Sequence, residues 1–214
     1  FLSTKKQDYD KADKMYQRAI EADPDNANTL WRYAVFLSEQ KQDYDEADKM
    51  YQRAIEADPD NALLLAYYAT FLSDQKQEYH EANKMHKRAI EADPDNANNL
   101  GNYAKFLFLI EQNANAISIL ERAESLAHTE ADDLSTELAF YRYAHCPPHA
   151  LRPLKRLLLK DIRSLDWYLQ NNVSVAQRNG HPAPDMLPVL ANVIAGNSEI
   201  SELNKFNEWK ECDA

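Results

Sequence analysis

Three nearly identical blocks of 35 residues stand at the start of this sequence and limit what it can fold into. Residues 1–35 and 36–70 agree at 27 of 35 positions, and residues 71–105 match the second block at 24 of 35. A fourth, more divergent copy follows, in which the step from Ala89 to Ala123 is 34 residues instead of 35. Such periodicity is typical of a repeat fold in which each unit packs on its neighbours.

Each block has the pattern of two amphipathic helices, with apolar residues at spacings of three and four. The motif Asp-Pro-Asp-Asn recurs at residues 23–26, 58–61 and 93–96. Proline cannot continue the preceding helix, and the Asp or Asn after it can cap the next one. In one unit the pattern predicts a first helix over about residues 62–74 and a second over about residues 79–92. One such hairpin cannot bury both apolar stripes, so neighbouring units must stack.

Residues 1–128 resemble the tetratricopeptide repeat family, with about 3.5 repeats of which the first is truncated. The resemblance rests on small residues where two helices cross, an aromatic residue in the second helix, and a small residue before a closing proline. These positions hold, in order, Ala34, Ala69 and Ala104; Ala47, Ala82 and Ala116; Tyr16 and Tyr51; Ala19, Ala54, Ala89 and Ala123; and Pro24, Pro59 and Pro94. Alanine replaces the family's glycine, leucine replaces its first-helix tryptophan, and one residue is inserted between the helices of the first three units. The resemblance implies an all-α fold, a right-handed α-solenoid of helical hairpins.

Helical patterning continues over residues 129–214. It predicts helices at about residues 131–145, 149–163, 170–178 and 183–195, and a short last turn at residues 200–209. The region is similar to a segment that trails tetratricopeptide arrays in bacterial proteins, through residues 140–145, Arg163 and Ser164 with Trp167, residues 179–182, and residues 200–209. That resemblance carries no known chemistry. We expect an α-helical cap that covers the last apolar face of the array.

The first block starts within a helix. Phe1 is in register with Phe36 and Phe71, which lie inside the first helix of their units. We therefore expect the chain to be part of a longer array, or to lack its first residues. An incomplete first hairpin would expose apolar surface, which offers a face for self-association.

Differences between the three copies are concentrated on one face of the first helices. Leu30 and Ala34 recur unchanged, whereas Trp31 becomes Ala66 and then Gly101. Because the family's first helices line a concave groove, the resemblance implies a groove for a peptide or protein segment, with aromatic anchors and amide hydrogen bonds. The predicted groove residues are Asn28, Trp31, Arg32, Val35, Leu63, Ala66, Tyr67, Thr70, Asn98, Asn102, Lys105 and Phe108. The alternative is drift on a solvated face after duplication.

A basic segment interrupts this acidic chain, whose net charge is −11. Six basic residues and one acidic residue lie from Arg142 to Arg163. One interpretation is a docking patch for an acidic partner or a phosphate backbone, made of Arg152, Lys155, Arg156, Lys160 and Arg163. The other, which the pattern favours, is an amphipathic helix whose cationic groups lie in water or pair with the acidic repeats.

Few residues offer catalytic or cofactor chemistry. The three glycines cannot build a GxGxxG or Walker-type phosphate loop. The densest reactive cluster is His145-Cys146-Pro147-Pro148-His149, which only His128 or His181 could join towards the four ligands of a closed zinc site. We interpret this cluster as a helix end with an incidental cysteine, and expect no catalytic residue, metal or cofactor.

Charge and cysteine content narrow the partners and the location. The negative net charge argues against binding to nucleic-acid phosphates. The sequence contains no run of about 18 apolar residues, so it predicts no membrane-spanning helix. Two cysteines fit a reducing compartment, and we expect a cytoplasmic protein.

We therefore expect a non-enzymatic scaffold that binds a protein or peptide. The clamp of Lys, Asn and Arg with which some tetratricopeptide proteins hold a C-terminal carboxylate is not present at the corresponding positions, so a receptor for chaperone tails is not predicted. Two alternatives stay open. One is a regulatory or sensor part of a larger effector enzyme or complex. The other is an RNA-associated helical repeat of the half-a-tetratricopeptide type, suggested by Leu-Trp-Arg-Tyr at residues 30–33 and by the basic helix.

Overall fold

The computed structural model describes residues 2–127, 133–165 and 168–213, without the side chains of residues 2–7. The described residues form helices, turns and loops and contain no strand, so the predicted all-α fold is confirmed. The helices are α1 (Leu2–Ala22), α2 (Ala27–Phe36), α3 (Tyr44–Ala57), α4 (Ala62–Phe71), α5 (Tyr79–Ala92), α6 (Ala97–Leu109), α7 (Asn113–Leu126), α8 (Asp133–His145), α9 (Arg152–Leu159), α10 (Gln170–Arg178), α11 (Met186–Ile194) and α12 (Asn207–Glu211). The other helical elements are two π-helical turns, Leu37–Lys41 and Leu72–Lys76, and a 3₁₀ helix, Ile200–Lys205.

The chain divides into two compact units, residues 1–94 (unit 1) and residues 95–214 (unit 2). Unit 1 contains α1 followed by two hairpins, α2 with α3 and α4 with α5. Unit 2 contains the hairpin of α6 with α7 and the helices that follow it. The predicted boundary between repeats and cap, at residues 128–129, lies outside the described residues, as do Phe1, His128 and Trp167.

The Asp-Pro-Asp-Asn motif begins the first helix of each hairpin in unit 1, as the sequence predicts. The side-chain oxygen of Asn26 accepts a hydrogen bond from the Thr29 N–H at 3.0 Å, and that of Asn61 accepts one from the Leu64 N–H at 3.1 Å. These bonds satisfy N–H groups that have no partner within the first turn of a helix.

Alanine occupies the crossing point of each hairpin in unit 1. Ala34 and Ala47, where α2 meets α3, are fully buried, and so are Ala69 and Ala82, where α4 meets α5. A methyl group lets the two helix backbones approach closely, and larger side chains fill the space on either side.

In unit 1, aromatic rings join α1 to α2 and α3 to α4. The ring of Tyr51 on α3 lies 5.2 Å from the rings of both Tyr68 and Phe71 on α4. The ring of Tyr16 on α1 lies at the same 5.2 Å from that of Tyr33 on α2. Contacts of this kind cover the apolar stripe that a single hairpin leaves exposed.

The 35-residue period has its origin in the π-helical turns. After α2, the N–H of Asp43 bonds the carbonyl oxygen of Leu37 at 3.0 Å, which closes a loop of six residues. After α6, in the shorter fourth copy, the equivalent N–H of Gln112 bonds the Leu107 oxygen at 2.9 Å, over five residues and with no π turn. The inserted residue is therefore absorbed at the end of the first helix, and α4 ends at Phe71 instead of residue 74 because its last turn widens.

At two places in unit 1, a partly exposed carboxylate links one helix to the hairpin that follows. Asp48 on α3 accepts a hydrogen bond from the Tyr68 hydroxyl at 2.7 Å and an ion pair from Lys76 Nζ at 2.6 Å. Lys76 comes from the π turn, so the extra residue also places a cation against the carboxylate. The same groups recur one period earlier as Asp13, Tyr33 and Lys41, at 2.7 and 3.0 Å.

These links change the acidity of their members. Burial and the hydrogen bond to Asp13 raise the pKa of Tyr33 to about 12. Burial alone would raise the pKa of Asp13, but the hydrogen bonds from Tyr33 and Lys41 outweigh it and the pKa lies below its usual value. The Asp13 link is therefore an ionised carboxylate held by a neutral phenol and a cation.

In unit 2, Asn96 caps α6 through the Asn99 N–H at 3.1 Å, and the fully buried Ala104 and Ala116 mark the crossing with α7. Helix α8 packs on α6 and α7, α9 packs on α8, α10 packs on α6 and α8, and α11 packs on α10. Among the described residues, no helix has both the length and the apolar character needed to cross a bilayer.

Helices α8 to α11 lie within the stretches that the sequence predicts. Helix α9 is the shortest relative to its prediction, spanning Arg152–Leu159 instead of residues 149–163. Pro153 stands in its first turn, and Asp161 has a left-handed backbone (φ 59°) that ends the helix. The predicted last turn contains the 3₁₀ helix and the start of α12.

Replacing Asp48 by alanine removes the acceptor of both Tyr68 and Lys76. Because hydrogen bonds to charged groups contribute about 1.5–3 kcal/mol, we expect the free energy of unfolding to fall by about 2 kcal/mol, measured by urea denaturation followed by circular dichroism. Asp48→Asn introduces the amide that the next copy carries at Asn83 and keeps an acceptor, so its loss should be about half as large.

The matched control is Glu56→Ala, which removes an exposed carboxylate from the same helix. We expect it to change the free energy of unfolding by less than about 0.5 kcal/mol. Equal losses from the two alanine variants would contradict a specific role for Asp48.

Candidate functional site

Four of the predicted groove residues form one cluster across α2 and α4 in unit 1. The indole of Trp31 stacks on the ring of Tyr67, with centroids 5.0 Å apart and an interplanar angle of 27°. The Arg32 guanidinium lies 4.7 Å from the Trp31 ring centroid, and the indole N–H donates to the Asn28 side-chain oxygen at 3.2 Å. We call Asn28, Trp31, Arg32 and Tyr67 the aromatic cluster.

The members of the aromatic cluster differ in what they present to solvent. Trp31 is only 6% exposed, whereas Tyr67 is 42% exposed. Asn28 and Arg32 are exposed, and Leu63, one turn before Tyr67 on α4, is half exposed. Trp31 is therefore a platform beneath this surface, and the groups open to a partner are a phenol ring, a guanidinium, an amide and an isobutyl group.

The remaining predicted groove residues of unit 1 are less open. Ala66 is buried, and the hydroxyl of Thr70 donates to the Ala66 carbonyl oxygen at 3.1 Å within its own helix. Val35 and Thr70 are partly exposed. These residues border the aromatic cluster and do not extend its polar surface.

In unit 2 the same face of the first helix is largely covered. Phe108 is fully buried against His145 of α8, with ring centroids 4.5 Å apart, and Lys105 is buried with its carbonyl oxygen accepting from Asn172 of α10 at 3.1 Å. Asn102 is partly exposed and Asn98 is exposed. The structure therefore does not place Lys105 and Phe108 on an open face, because α8 and α10 pack against α6 there.

Gly101 marks this covering in the sequence. It stands where the earlier copies have Trp31 and Ala66, and a β-carbon built on it would lie 3.3 Å from side-chain atoms of both Leu134 and Leu138 on α8. The side chain at this position becomes smaller from Trp31 to Ala66 to Gly101, and the glycine leaves room for α8 to pack on α6. Comparison of the copies reveals the change in size but not the helix that requires it.

The predicted basic patch is divided between two roles. Lys155 Nζ donates to the carbonyl oxygens of Trp209 and Cys212, both at 2.7 Å, and so holds the last helix. Arg163 donates to the Val193 carbonyl oxygen at 2.6 Å and pairs with Asp161 at 2.8 Å. The other three members, Arg152, Arg156 and Lys160, are exposed. The sequence did not separate the anchoring cations from the exposed ones.

The histidine-rich segment after α8 is a packing junction. The carbonyl oxygen of Tyr143 accepts from His149 Nδ1 at 2.8 Å and from His181 Nε2 at 3.1 Å, while His181 Nδ1 accepts from the Ala183 N–H at 3.1 Å. His145 stacks on Phe108 in the interior. Among the described residues, no three His, Cys, Asp or Glu side chains converge as metal ligands; the remaining candidate, His128, is not among them.

Acidity in this junction follows burial. Burial, reinforced by His181 and His149, lowers the pKa of His145 to about 3, and burial also lowers the pKa of His181. Burial raises the pKa of the Cys146 thiol, which keeps it protonated and poorly nucleophilic. His145, His181 and the Cys146 thiol are therefore uncharged packing groups near neutral pH.

Comparison with known proteins agrees with the repeat architecture. Two family models described as tetratricopeptide repeat match residues 4–64 and residues 50–82. A solved structure described as the functional characterization of Pseudomonas aeruginosa pilF aligns with a TM-score of 0.60 and 19% identity, over 94% of this chain and 90% of that chain. At this identity the likeness concerns the fold alone. No curated protein matches the sequence.

The buried histidines predict a loss of stability in mild acid. The unfolded chain protonates His145 near the ordinary histidine pKa of 6.5, whereas burial in the folded protein lowers that pKa to about 3. The free energy of unfolding is therefore unaffected by this titration above pH 6.5, and it decreases as the pH falls below that value. We expect the thermal midpoint to fall between about pH 7 and 5, above the range in which carboxylates titrate.

His145→Gln should make this fall shallower, and the residual slope should reflect His181, whose pKa is also lowered. His80→Gln, which alters an exposed histidine of α5, is the control and should leave the slope unchanged. Identical slopes for the wild-type protein and His145→Gln would refute the assignment.

Proposed function

We propose that this chain, which is a tetratricopeptide repeat protein, is a non-enzymatic scaffold that binds an extended peptide or protein segment over the aromatic cluster. Its general role as an interaction scaffold follows from the repeats. The observation that carries the specific proposal is the stack of Trp31, Tyr67 and Arg32, which joins two hairpins into one surface.

The chemistry of this surface supports recognition of a peptide. Tyrosine, tryptophan and arginine are the residues that most often dominate binding energies at protein interfaces. Here the ring of Tyr67 is held in one orientation by Trp31, so it loses little conformational freedom when a partner packs on it. The exposed amide of Asn28 and guanidinium of Arg32 supply hydrogen-bond donors for a peptide backbone or carboxylate.

The internal comparison of the copies supports the same surface. Residues that pack the hairpins, such as Leu30 and Leu65, are identical between copies and fully buried. The positions that differ hold Trp31 and Arg32 in one copy and Ala66 and Tyr67 in the next. The two copies thus contribute different residues to one contact. The second copy has Ala66 in place of Trp31, and its Tyr67 packs on the Trp31 of the first copy.

The absence of enzymatic activity is part of this proposal. The strongly perturbed groups have packing roles: Tyr33 donates to Asp13, and His145 stacks on Phe108. Among the described residues, the aromatic cluster contains no nucleophile beside a general base. Its groups recognise and do not react.

The proposal is tested by selecting peptides from a displayed library on the immobilised protein and measuring their affinity by fluorescence anisotropy. We expect Tyr67→Ala and Arg32→Ala each to weaken binding by about tenfold or more, the effect typical of residues that dominate an interface. Circular dichroism should show an unchanged fold, because both side chains are exposed.

Tyr79→Ala is the matched control, because Tyr79 is 40% exposed, as Tyr67 is, but lies on the second helix α5. It should leave the affinity unchanged. Selected peptides that respond to Tyr79→Ala and not to Tyr67→Ala would move the site to the other face. A structured RNA that bound with a steep salt dependence, where no peptide did, would replace the proposal.

A further inference from the structure

A cavity of about 750 Å³ lies in unit 2 between α7, α8 and α9, away from the aromatic cluster in sequence and composition. Its apolar lining includes Leu138 and Ala139 of α8, and Pro153, Leu157 and Leu159 of α9. This volume is within the range of about 300–1,000 Å³ that is usual for ligand sites in proteins.

One rim of the cavity is a row of cations. Arg152, Arg156 and Lys160 all line it, at intervals of four residues along α9 and its last turn. Residues four apart on a helix face the same side and are separated by about 6 Å. Within the described residues these three side chains form no ion pair, whereas Lys155 and Arg163 are engaged by backbone carbonyl oxygens of Trp209 and Val193.

The opposite rim is electrically compensated. Arg142 of α8 lines the cavity, but its guanidinium donates to Glu124 of α7 through Nε at 3.1 Å and Nη2 at 2.5 Å. Among the described residues that line the cavity, the cations without an ion-pair partner therefore lie on the α9 side. In a chain with a net charge of −11, an exposed row of three cations is a strong local exception.

The apolar part of the site also reaches the surface. Leu159 is 55% exposed and lies between Arg156 and Lys160 in the sequence. An exposed leucine beside a cavity provides apolar surface that a bound partner would remove from water. The cavity thus combines an apolar floor, an open apolar edge and a cationic rim.

We propose that this cavity binds an acidic peptide segment of a partner protein, which places one apolar side chain against Leu138, Leu157 and Leu159 and its carboxylates along Arg152, Arg156 and Lys160. This is a second site, independent of the aromatic cluster. In a partner helix with Asp or Glu at every fourth position, the carboxylates have the same spacing as the three cations.

The spacing favours a peptide over other anions. A fatty acid or other single-headed amphiphile places one carboxylate, which satisfies one cation and leaves two unpaired. A nucleic acid would match the charge of the rim, but it has no aliphatic side chain for the apolar lining of the cavity. A segment with several carboxylates around an apolar residue meets all of these features.

The test uses a fluorescein-labelled peptide of about 14 residues, with three glutamates spaced four apart and one central leucine, titrated with the full chain and followed by anisotropy at low ionic strength. We expect saturable binding that weakens by about tenfold in Arg156→Glu and by about threefold in Leu159→Ser. Both residues are exposed, so both variants should keep the wild-type thermal midpoint.

Lys210→Glu is the matched control, because it reverses an exposed charge in the same unit and changes the net charge equally. It should bind as the wild-type protein does. Equal weakening in Arg156→Glu and Lys210→Glu would reduce the effect to net charge and overturn the proposal.

Four further outcomes would also overturn it. The first is no binding of the peptide. The second is equal affinity for a peptide with alanine in place of leucine. The third is displacement of the peptide by oleate or by anionic vesicles at lower concentration than by unlabelled peptide. The fourth is tighter binding of a single-stranded RNA.

Discussion

The close crossing of paired helices at alanine is the constraint on which the rest of the structure depends. Ala34, Ala47, Ala69 and Ala82 are fully buried at the crossings of unit 1, as Ala104 and Ala116 are in unit 2. A larger side chain at any of these positions would separate the two helices of a hairpin. Because the pair is closely packed, each hairpin presents a second apolar face that must be covered by a neighbour.

The way in which that second face is covered differs along the chain, and this difference places the candidate sites. In unit 1, tyrosines and a partly exposed carboxylate join one hairpin to the next and leave the opposite side of α2 and α4 open, with Trp31 stacked on Tyr67. In unit 2, α8 packs on α6, and Phe108 is buried against His145. The same helix face is therefore open in one copy and part of the core in another.

Helix α9 of unit 2 contributes to two separate features. Lys155 donates to carbonyl oxygens near the end of the described chain, while Arg152, Arg156 and Lys160 border an apolar cavity. One short amphipathic helix thus anchors the end of the chain and presents a charged surface. Units 1 and 2 thus present surfaces of different composition, the aromatic cluster in one and the row of cations in the other.

Much of the fold could be predicted from local sequence signals, because those signals act within a few residues. Asn26 and Asn61 cap the helices that follow the Asp-Pro-Asp-Asn motif, and the second helix Tyr79–Ala92 begins and ends where predicted. Comparison of the copies reveals the extra residue in the period but not the π-helical turn that contains it. A π turn is selected by the bond from Asp43 to Leu37 and by the pairing of Lys76 with Asp48, and the second of these joins residues far apart in sequence.

The candidate site was predicted in part for the same reason. Trp31, Arg32 and Tyr67 were identified because copies of one sequence differ there, and they lie together. Lys105 and Phe108 were assigned to the same surface because their register is the same. Their burial depends on α8 and α10, which no comparison of the copies includes.

By itself the sequence determined the helices, their pairing into hairpins and the positions where copies diverge, because capping, proline and periodicity are local properties. Only the tertiary structure decided which diverging positions stay exposed and which cations are already engaged. Gly101 beneath Leu134 and Leu138, and Lys155 against Trp209, owe their roles to residues more than 30 positions away. Burial and ion pairing are set by whichever segment packs nearby, and that is a property of the folded chain.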